Sequence, residues 1–269
     1  MSVAVTSESY GRGLARAAAG ALIFGFPLLM TMEMWELGFH MDRLRLALFL
    51  VVTLGVVFGL SVFAGFRDSD ELVDDVLDAF AAMAVGFLVS AALLALLGLI
   101  GPGMPLREVV GKVAVQTAPA AIGAVLANKQ LRIHGGGEEK EDRAGYLGQL
   151  FLMTAGALFL AFNVAPTEEM ILIGFKMTPW HGLGLVAASL LVLHALVYTV
   201  GFAGQEAHAG HASAFLHFTL AGYGVALMTS LYILWTFGRL DGGLSATVQS
   251  VVVLAFPAAL GAAAARLVV

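Results

Sequence analysis

The chain has 269 residues, of which 59% are apolar and only 12% are charged, and its mean hydropathy is +0.90. Soluble domains are usually about 45–50% apolar and about 25% charged, so this composition indicates a multi-pass membrane protein. The sequence has no cysteine, which excludes disulfides, zinc–thiolate sites and iron–sulfur clusters. The net charge of −5 provides no basic surface for a nucleic acid.

Eight apolar segments are long enough to cross a bilayer as helices, which takes about 20 residues. The predicted spans are approximately residues 17–39, 46–66, 76–100, 109–127, 146–175, 179–202, 212–237 and 245–267. Pro27 predicts a kink in the first span near residues 23–27. The fifth span is predicted to be broken near Asn163, because Pro166 cannot donate a backbone hydrogen bond and Thr167 followed by acids is typical of a new helix start.

The first and fifth spans are copies of one another. Residues 19–41 and 155–177 are identical at 11 of 23 positions without a gap, and the matches pair Thr31 with Thr167 and Glu33 with Glu169. Residues 119–124 similarly match 257–262. The sequence therefore predicts an all-α fold of two four-helix repeats, residues 1–128 and 144–269, joined by a polar linker at 129–143. Because each repeat has an even number of spans, the repeats should be parallel, about a pseudo-two-fold axis along the membrane normal.

Acidic side chains lie inside both copies, at Glu33 and Glu36 and at Glu168 and Glu169. Carboxylates are costly in hydrocarbon, so intramembrane acids usually mark a functional site. If Glu33 and Glu169 face each other across the axis, a bound cation or a shared proton must relieve their repulsion. Oxygen ligands suit Ca²⁺, Mg²⁺, Mn²⁺, Na⁺ or a proton, which makes Glu33 and Glu169 the candidate metal ligands. The alternative is that the acids are protonated, hydrogen-bonded to neighbouring helices, or extended to the membrane surface.

Other polar residues are weaker candidates for the same pathway. Asn163 lies at the predicted break, where backbone carbonyls become available. Asp74 and Asp75 precede the third span, where they would attract cations to a pore mouth or simply form a solvated helix start. Asp78 lies deepest and begins the apolar run, which favours a role at the pore mouth. His208, His211 and His217 could bind a transition metal or sense pH, although ordinary interfacial roles also explain them. His194 lies in the middle of the sixth span, where it could be a ligand or a hydrogen-bonded packing residue.

Two functions fit these patterns. The first is a cation channel or transporter with its Glu ligands at the repeat interface, whose partners are the lipid bilayer and an inorganic cation, with no covalent cofactor. The alternative is a membrane sensor or scaffold that binds a partner or an amphipathic ligand without moving an ion. The sequence contains no nucleophile–base pair or phosphate loop, so an enzyme is not expected, and a homo-oligomer is compatible with either function.

The copied segment and the acids at residues 33–38 and 166–169 resemble an uncharacterised family of bacterial multi-pass integral membrane proteins of about this length. The resemblance implies an eight-span fold in a bacterial inner membrane and carries no activity with it. Lys and Arg number eight on the side that holds both termini and six on the other side, which favours cytoplasmic termini.

Overall fold

The computed structural model describes residues 7–64, 72–130, 146–200 and 215–268, and within these ranges the chain is helical without a β-strand. The chain divides into two compact units, residues 1–137 and 138–269, which we call unit 1 and unit 2. Most of the predicted linker at 129–143 lies outside the described residues. The domain boundaries and the pseudo-two-fold axis therefore remain predictions.

In its described part, each unit has a long helix, a short helix of nine residues and three more long helices. The helices of unit 1 are α1 (Ser7–Leu29), α2 (Met32–His40), α3 (Arg43–Ala64), α4 (Leu72–Leu96) and α5 (Leu106–Gln130). Those of unit 2 are α6 (Tyr146–Val164), α7 (Glu168–Lys176), α8 (Pro179–Val200), α9 (Ala221–Thr236) and α10 (Leu244–Val268). A π-helical stretch, Phe215–Leu220, leads directly into α9.

Among the residues that the structure describes, eight helices are long and apolar enough to cross a membrane, which confirms the predicted number of spans. They are Gly11–Leu29, Arg43–Val62, Leu72–Leu96, Leu106–Ala127, Tyr146–Val164, Pro179–Leu196, Phe218–Thr236 and Leu244–Ala265. Large apolar side chains such as Leu88, Leu191 and Met228 are exposed on these helices, as expected of surfaces that contact lipid. The protein is therefore an all-α integral membrane protein.

The prediction of one kinked helix over residues 17–39 is wrong. Helix α1 continues through Pro27 and ends at Leu29, and a separate helix begins at Met32. The predicted break in the fifth span is confirmed, because α6 ends at Val164 and α7 begins at Glu168. Both copies of the repeated segment are thus interrupted at the same place.

The last helix of each unit is its central helix. Helix α5 packs against α1, α2, α3 and α4, and every residue from 111 to 125 is buried. Helix α10 packs in the same way against α6, α7, α8 and α9. The Gly and Ala content of these two helices allows the surrounding backbones to approach closely, as is common between membrane helices.

Pairs of glycines form the closest crossings with the central helices. A Cβ atom added at Gly20 would overlap the backbone of Gly123, and one added at Gly156 would overlap the backbone of Gly261. Gly20 and Gly156 are equivalent in the repeat, and so are Gly123 and Gly261. The α1–α5 and α6–α10 crossings are therefore built alike and leave no room for a side chain.

Candidate functional site at the interrupted helices

The two interruptions have the same hydrogen bonds. In unit 1 the amide and the hydroxyl of Thr31 both donate to the Leu28 carbonyl, at 3.0 and 2.7 Å. In unit 2 the amide and the hydroxyl of Thr167 both donate to the Val164 carbonyl, at 3.1 and 2.8 Å. The threonine hydroxyl thus satisfies a terminal carbonyl of the preceding helix instead of capping the helix that follows. Thr167 was correctly predicted as the residue before a new helix, but its side chain points backwards along the chain.

The repeated acids lie in the first turn of the short helices. Glu33 and Glu169 each stand two residues after the threonine, and Glu168 immediately precedes Glu169. Glu33 is half-buried, whereas Glu36, Glu168 and Glu169 are exposed. A negative charge in the first turn of a helix is favoured by the helix dipole.

Residues 33, 36, 168 and 169 belong to the short helices, which follow the membrane-spanning helices α1 and α6 in the chain after the interruptions. The depth of these acids in the membrane remains a prediction. Within the described ranges, His, Asp and Glu do not form a group of three that could hold a metal ion. The pairing of Glu33 with Glu169 remains a prediction.

Asn163 lies in the last turn of α6, where its side-chain amide donates to the Phe159 carbonyl at 2.8 Å. This bond is made within its own helix, so the amide group stabilises the end of α6. The side-chain oxygen of Asn163 accepts no hydrogen bond among the described residues. A role for that oxygen as a ligand remains a prediction.

In unit 1 a buried lysine holds the short helix. The Lys112 ammonium forms an ion pair with Glu108 at 2.6 Å and donates to the Leu99 carbonyl at 3.2 Å. It also lies 5.6 Å from the centre of the Trp35 ring, which is carried by α2. A cation over an aromatic ring is attracted to the negative face of the ring. Lys112 therefore connects α2, α5 and the loop between α4 and α5.

In unit 2 an arginine contacts the interruption itself. Helix α9 ends in a Schellman motif, in which Gly238 has a φ of +68° and the Arg239 amide donates to the Leu234 carbonyl at 2.8 Å. The Arg239 guanidinium then donates to the Pro166 carbonyl at 2.6 Å, inside the interruption between α6 and α7. Helix α4 has the same ending at Gly98, with the Leu99 amide on the Leu94 carbonyl. Arg239 and Leu99 therefore correspond, since each follows the glycine that ends its helix. In unit 1 the Leu99 carbonyl accepts a hydrogen bond from Lys112.

The aspartates of α4 are less accessible than predicted. Asp74 is half-buried, Asp75 is 8% exposed and Asp78 is only 2% exposed. All three have polar or electrostatic interactions within the protein. A buried carboxylate is stable only when it is paired or hydrogen-bonded, so Asp75 and Asp78 have partners inside the protein. The burial of Asp75 and Asp78 does not support their recruiting ions at a pore mouth, and that role remains a prediction.

The predicted histidines are only partly described. His208 and His211 lie outside the described residues, and the side chain of His217 lies outside them too. The fourth residue, His194, is half-buried in α8, and its Nδ1 lies 2.9 Å from the Thr219 hydroxyl.

A family described as "Putative integral membrane protein (DUF2391)" matches residues 13–269. The chain belongs to this family. No curated protein and no solved structure matches the chain. Membership of the DUF2391 family confirms the resemblance seen in the sequence and the location in a membrane, and it adds no activity.

Sequence reasoning missed the basic residues that hold the interruptions. Lys112 lies within the apolar fourth span, which is a signal that it needs a partner, and Glu108 lies four residues before it. Arg239 follows a glycine at the end of a span, which looks like an ordinary loop charge. Its contact with Pro166 joins residues 73 positions apart, which local sequence patterns do not reveal.

Proposed function

We propose that this member of the DUF2391 family is a cation channel or transporter, with Glu33 and Glu169 as its principal ligands. The observation that carries the proposal is the duplication of the interrupted helix, with the same threonine turn and the same first-turn acid in each unit. Discontinuous helices are common at the substrate and ion sites of transporters.

The chemistry of the interruption suits a hard cation or a proton. In each copy a carboxylate lies in the first turn after the interruption, a few residues in sequence after the last carbonyls of the preceding helix, and both kinds of group offer oxygen ligands. Such ligands favour Ca²⁺, Mg²⁺, Mn²⁺ or Na⁺ over soft metals. Glu36, Glu168 and the Asn163 oxygen would support the principal ligands. Since Glu169 is exposed and Glu33 is half-buried, an ion could reach either residue.

The membrane in question is, by this proposal, a bacterial inner membrane with both termini in the cytoplasm. The excess of Lys and Arg on the side that holds the termini supports this orientation.

The proposal is tested by flux through purified protein in liposomes loaded with indicators for Ca²⁺, Na⁺ or protons. Replacing Glu33 and Glu169 together by Gln should reduce the flux roughly tenfold or more, which corresponds to losing about 1.4 kcal/mol of ion binding. Glu36→Gln with Glu168→Gln removes the same charge from the same helices at positions that are not repeated, and should cost less. Asp241→Asn, an exposed loop change, is the control for lost surface charge.

Flux that is unchanged in the Glu33→Gln/Glu169→Gln variant would refute the assignment of the ligands. Correctly folded protein that moves none of these ions would refute the transport proposal altogether. That second result would favour the alternative function, a membrane sensor or scaffold.

A further inference from the structure

Helices α1, α4 and α5 of unit 1 meet in a buried apolar cluster that contains one side chain from each helix. These side chains are Leu29, Leu94 and Val113. Further along the same two helices, a Cβ added at Gly86 of α4 would lie 2.8 Å from the backbone nitrogen of Ala121 of α5. Helices α4 and α5 are therefore antiparallel and closely packed along this stretch.

A polar layer lies about one helical turn from this cluster on each of the three helices. It consists of Gly25 of α1, Ser90 of α4 and Gln116 of α5. The Gln116 side-chain nitrogen donates to the Gly25 carbonyl at 2.7 Å, which joins α5 to α1. Since a carbonyl only accepts, this bond fixes the orientation of the amide, and the Gln116 side-chain oxygen points to a different neighbour. Ser90 lies on the buried face of α4, between Gly86 and Leu94.

Two hydrogen-bonding atoms of this layer have no partner among the described residues. They are the Ser90 hydroxyl oxygen and the Gln116 side-chain oxygen, and both are fully buried. The two residues are only 1% and 2% exposed. Ser61, a buried serine of α3, instead donates to the Val57 carbonyl of its own helix at 3.0 Å. Because an unpaired buried polar atom is costly, Ser90 and Gln116 indicate that this layer holds a partner for them.

We propose that the Ser90 hydroxyl and the Gln116 side-chain oxygen bind one buried water molecule between α1, α4 and α5. A hydroxyl can donate or accept, whereas an amide oxygen only accepts. The water therefore accepts a hydrogen bond from Ser90 and donates one to Gln116. Buried waters typically bind two to four polar groups that would otherwise be unpaired. The ligand is neutral, because none of the three residues of the layer has a charge to offset the cost of burying an ion.

Unit 2 keeps the serine of this layer and replaces its other members. Ser230 corresponds to Ser90, since each stands eight residues before the glycine that ends its helix. The Ser230 hydroxyl is also buried and has no partner among the described residues. At the positions of the glutamine and the glycine, unit 2 has Leu254 and Ala161, which are completely buried. This layer of unit 2 thus presents a single polar side chain, which is too few to bind a water.

The direct test is a crystal structure of the full-length protein grown from a lipidic mesophase, at a resolution that shows ordered waters. Density for one water is expected within about 2.7–3.2 Å of both the Ser90 hydroxyl and the Gln116 side-chain oxygen. No ordered water is expected at Ser230. A direct hydrogen bond between Ser90 and Gln116, or a layer without density for a water, would overturn the proposal.

The two equivalent serines provide a matched test of the same water by stability, measured as unfolding in mixed micelles with increasing SDS. Ser90→Ala removes one partner of the water and should raise the unfolding equilibrium constant about fivefold, the usual value of one hydrogen bond. Ser230→Ala removes an unpaired hydroxyl and should lower the constant or leave it unchanged. The control is Ser61→Ala, at an equally buried serine bonded within its own helix, which should change the constant less than Ser90→Ala does.

A double variant shows whether Ser90 and Gln116 share one partner. Gln116→Leu introduces the residue that unit 2 has at this position. The loss in Ser90→Ala/Gln116→Leu should be smaller than the sum of the two single losses, because both groups bind the same water. Additive losses, or a Ser90→Ala variant stabilised as Ser230→Ala is, would contradict the proposal. The glutamates of the interrupted helices are not involved, so these results are independent of the ion-flux measurements.

Discussion

The two units share a backbone plan but hold their short helices differently. In unit 1, a Cβ added at Gly38 of α2 would overlap the backbone of Gly111 and Lys112, so α2 lies directly on α5. In unit 2, a Cβ added at the equivalent Gly174 would lie 3.3 Å from the Ser250 hydroxyl, which is tight but does not overlap a backbone, and hydrogen bonds from Gln249 and Arg239 hold the region. The difference shows that the glycine crossings and threonine turns form a common scaffold, whereas the polar contacts have diverged.

The largest loss of stability is expected at the glycine crossings, where substitutions test whether the two units share the same helix packing. Gly123→Leu and Gly261→Leu should each destabilise the protein by about 3 kcal/mol or more, because a side chain would collide with a neighbouring backbone. The measurement is unfolding of the purified protein in mixed micelles with increasing SDS.

Gly55→Leu is the control for this prediction. Gly55 is exposed on α3, and a Cβ added there would have no described atom within 4 Å. A protein that tolerates Leu at Gly261 but not at Gly123 would show that the two crossings are not equivalent.

The second-largest loss of stability is expected when the basic residues Lys112 and Arg239 are replaced. Lys112→Met should cost about 2 kcal/mol, because it leaves the half-buried Glu108 without its ion pair and removes two further contacts. Arg239→Met should cost about 1–2 kcal/mol, since the charge-assisted bond to the Pro166 carbonyl is its main side-chain interaction.

Thermal unfolding of both variants in detergent would check this order, with the exposed Arg107→Met as the control for a lost surface charge. A larger loss for Arg239→Met than for Lys112→Met would mean that the interruption in unit 2 depends on its basic residue more than the one in unit 1.

The smallest loss of stability is expected at the threonine turns, and it should be equal in the two units. Thr31→Val and Thr167→Val each remove one hydroxyl bond to the preceding carbonyl and should each cost about 1 kcal/mol. Hydrogen exchange of the neighbouring amides would measure this loss locally. Clearly unequal losses in the two units would contradict the shared geometry of the interruptions.

Much of the fold could be predicted from sequence because its signals are local. The lengths of the apolar segments predicted the eight spans, and Pro166 with Thr167 predicted the break in the fifth span. The matching break in unit 1 was not predicted, because Pro27 indicated only a kink in a continuous helix. The helix instead ends where the Thr31 hydroxyl donates to the Leu28 carbonyl. Sequence identity between the two copies would have predicted it, since Thr31 and Thr167 are equivalent.

The site was harder to predict because burial and long-range contacts decide it. Asp75 could be part of a solvated helix start in the sequence, but the packing of α4 buries it. The bond from Arg239 to Pro166 and the pairing of His194 with Thr219 join residues that only the folded helices bring together. Neither pair leaves a periodic pattern in the sequence.

The position of α5 and α10 at the end of their units has a consequence for biosynthesis. Because each is the helix around which the other four assemble, the earlier segments of a unit reach the bilayer before the element that completes their packing. While translation continues, the bare glycine surfaces of α1 and α6 lack their proper neighbour. Nascent chains stalled before residue 106 or residue 244 should therefore be the forms most readily recognised by membrane quality-control proteases.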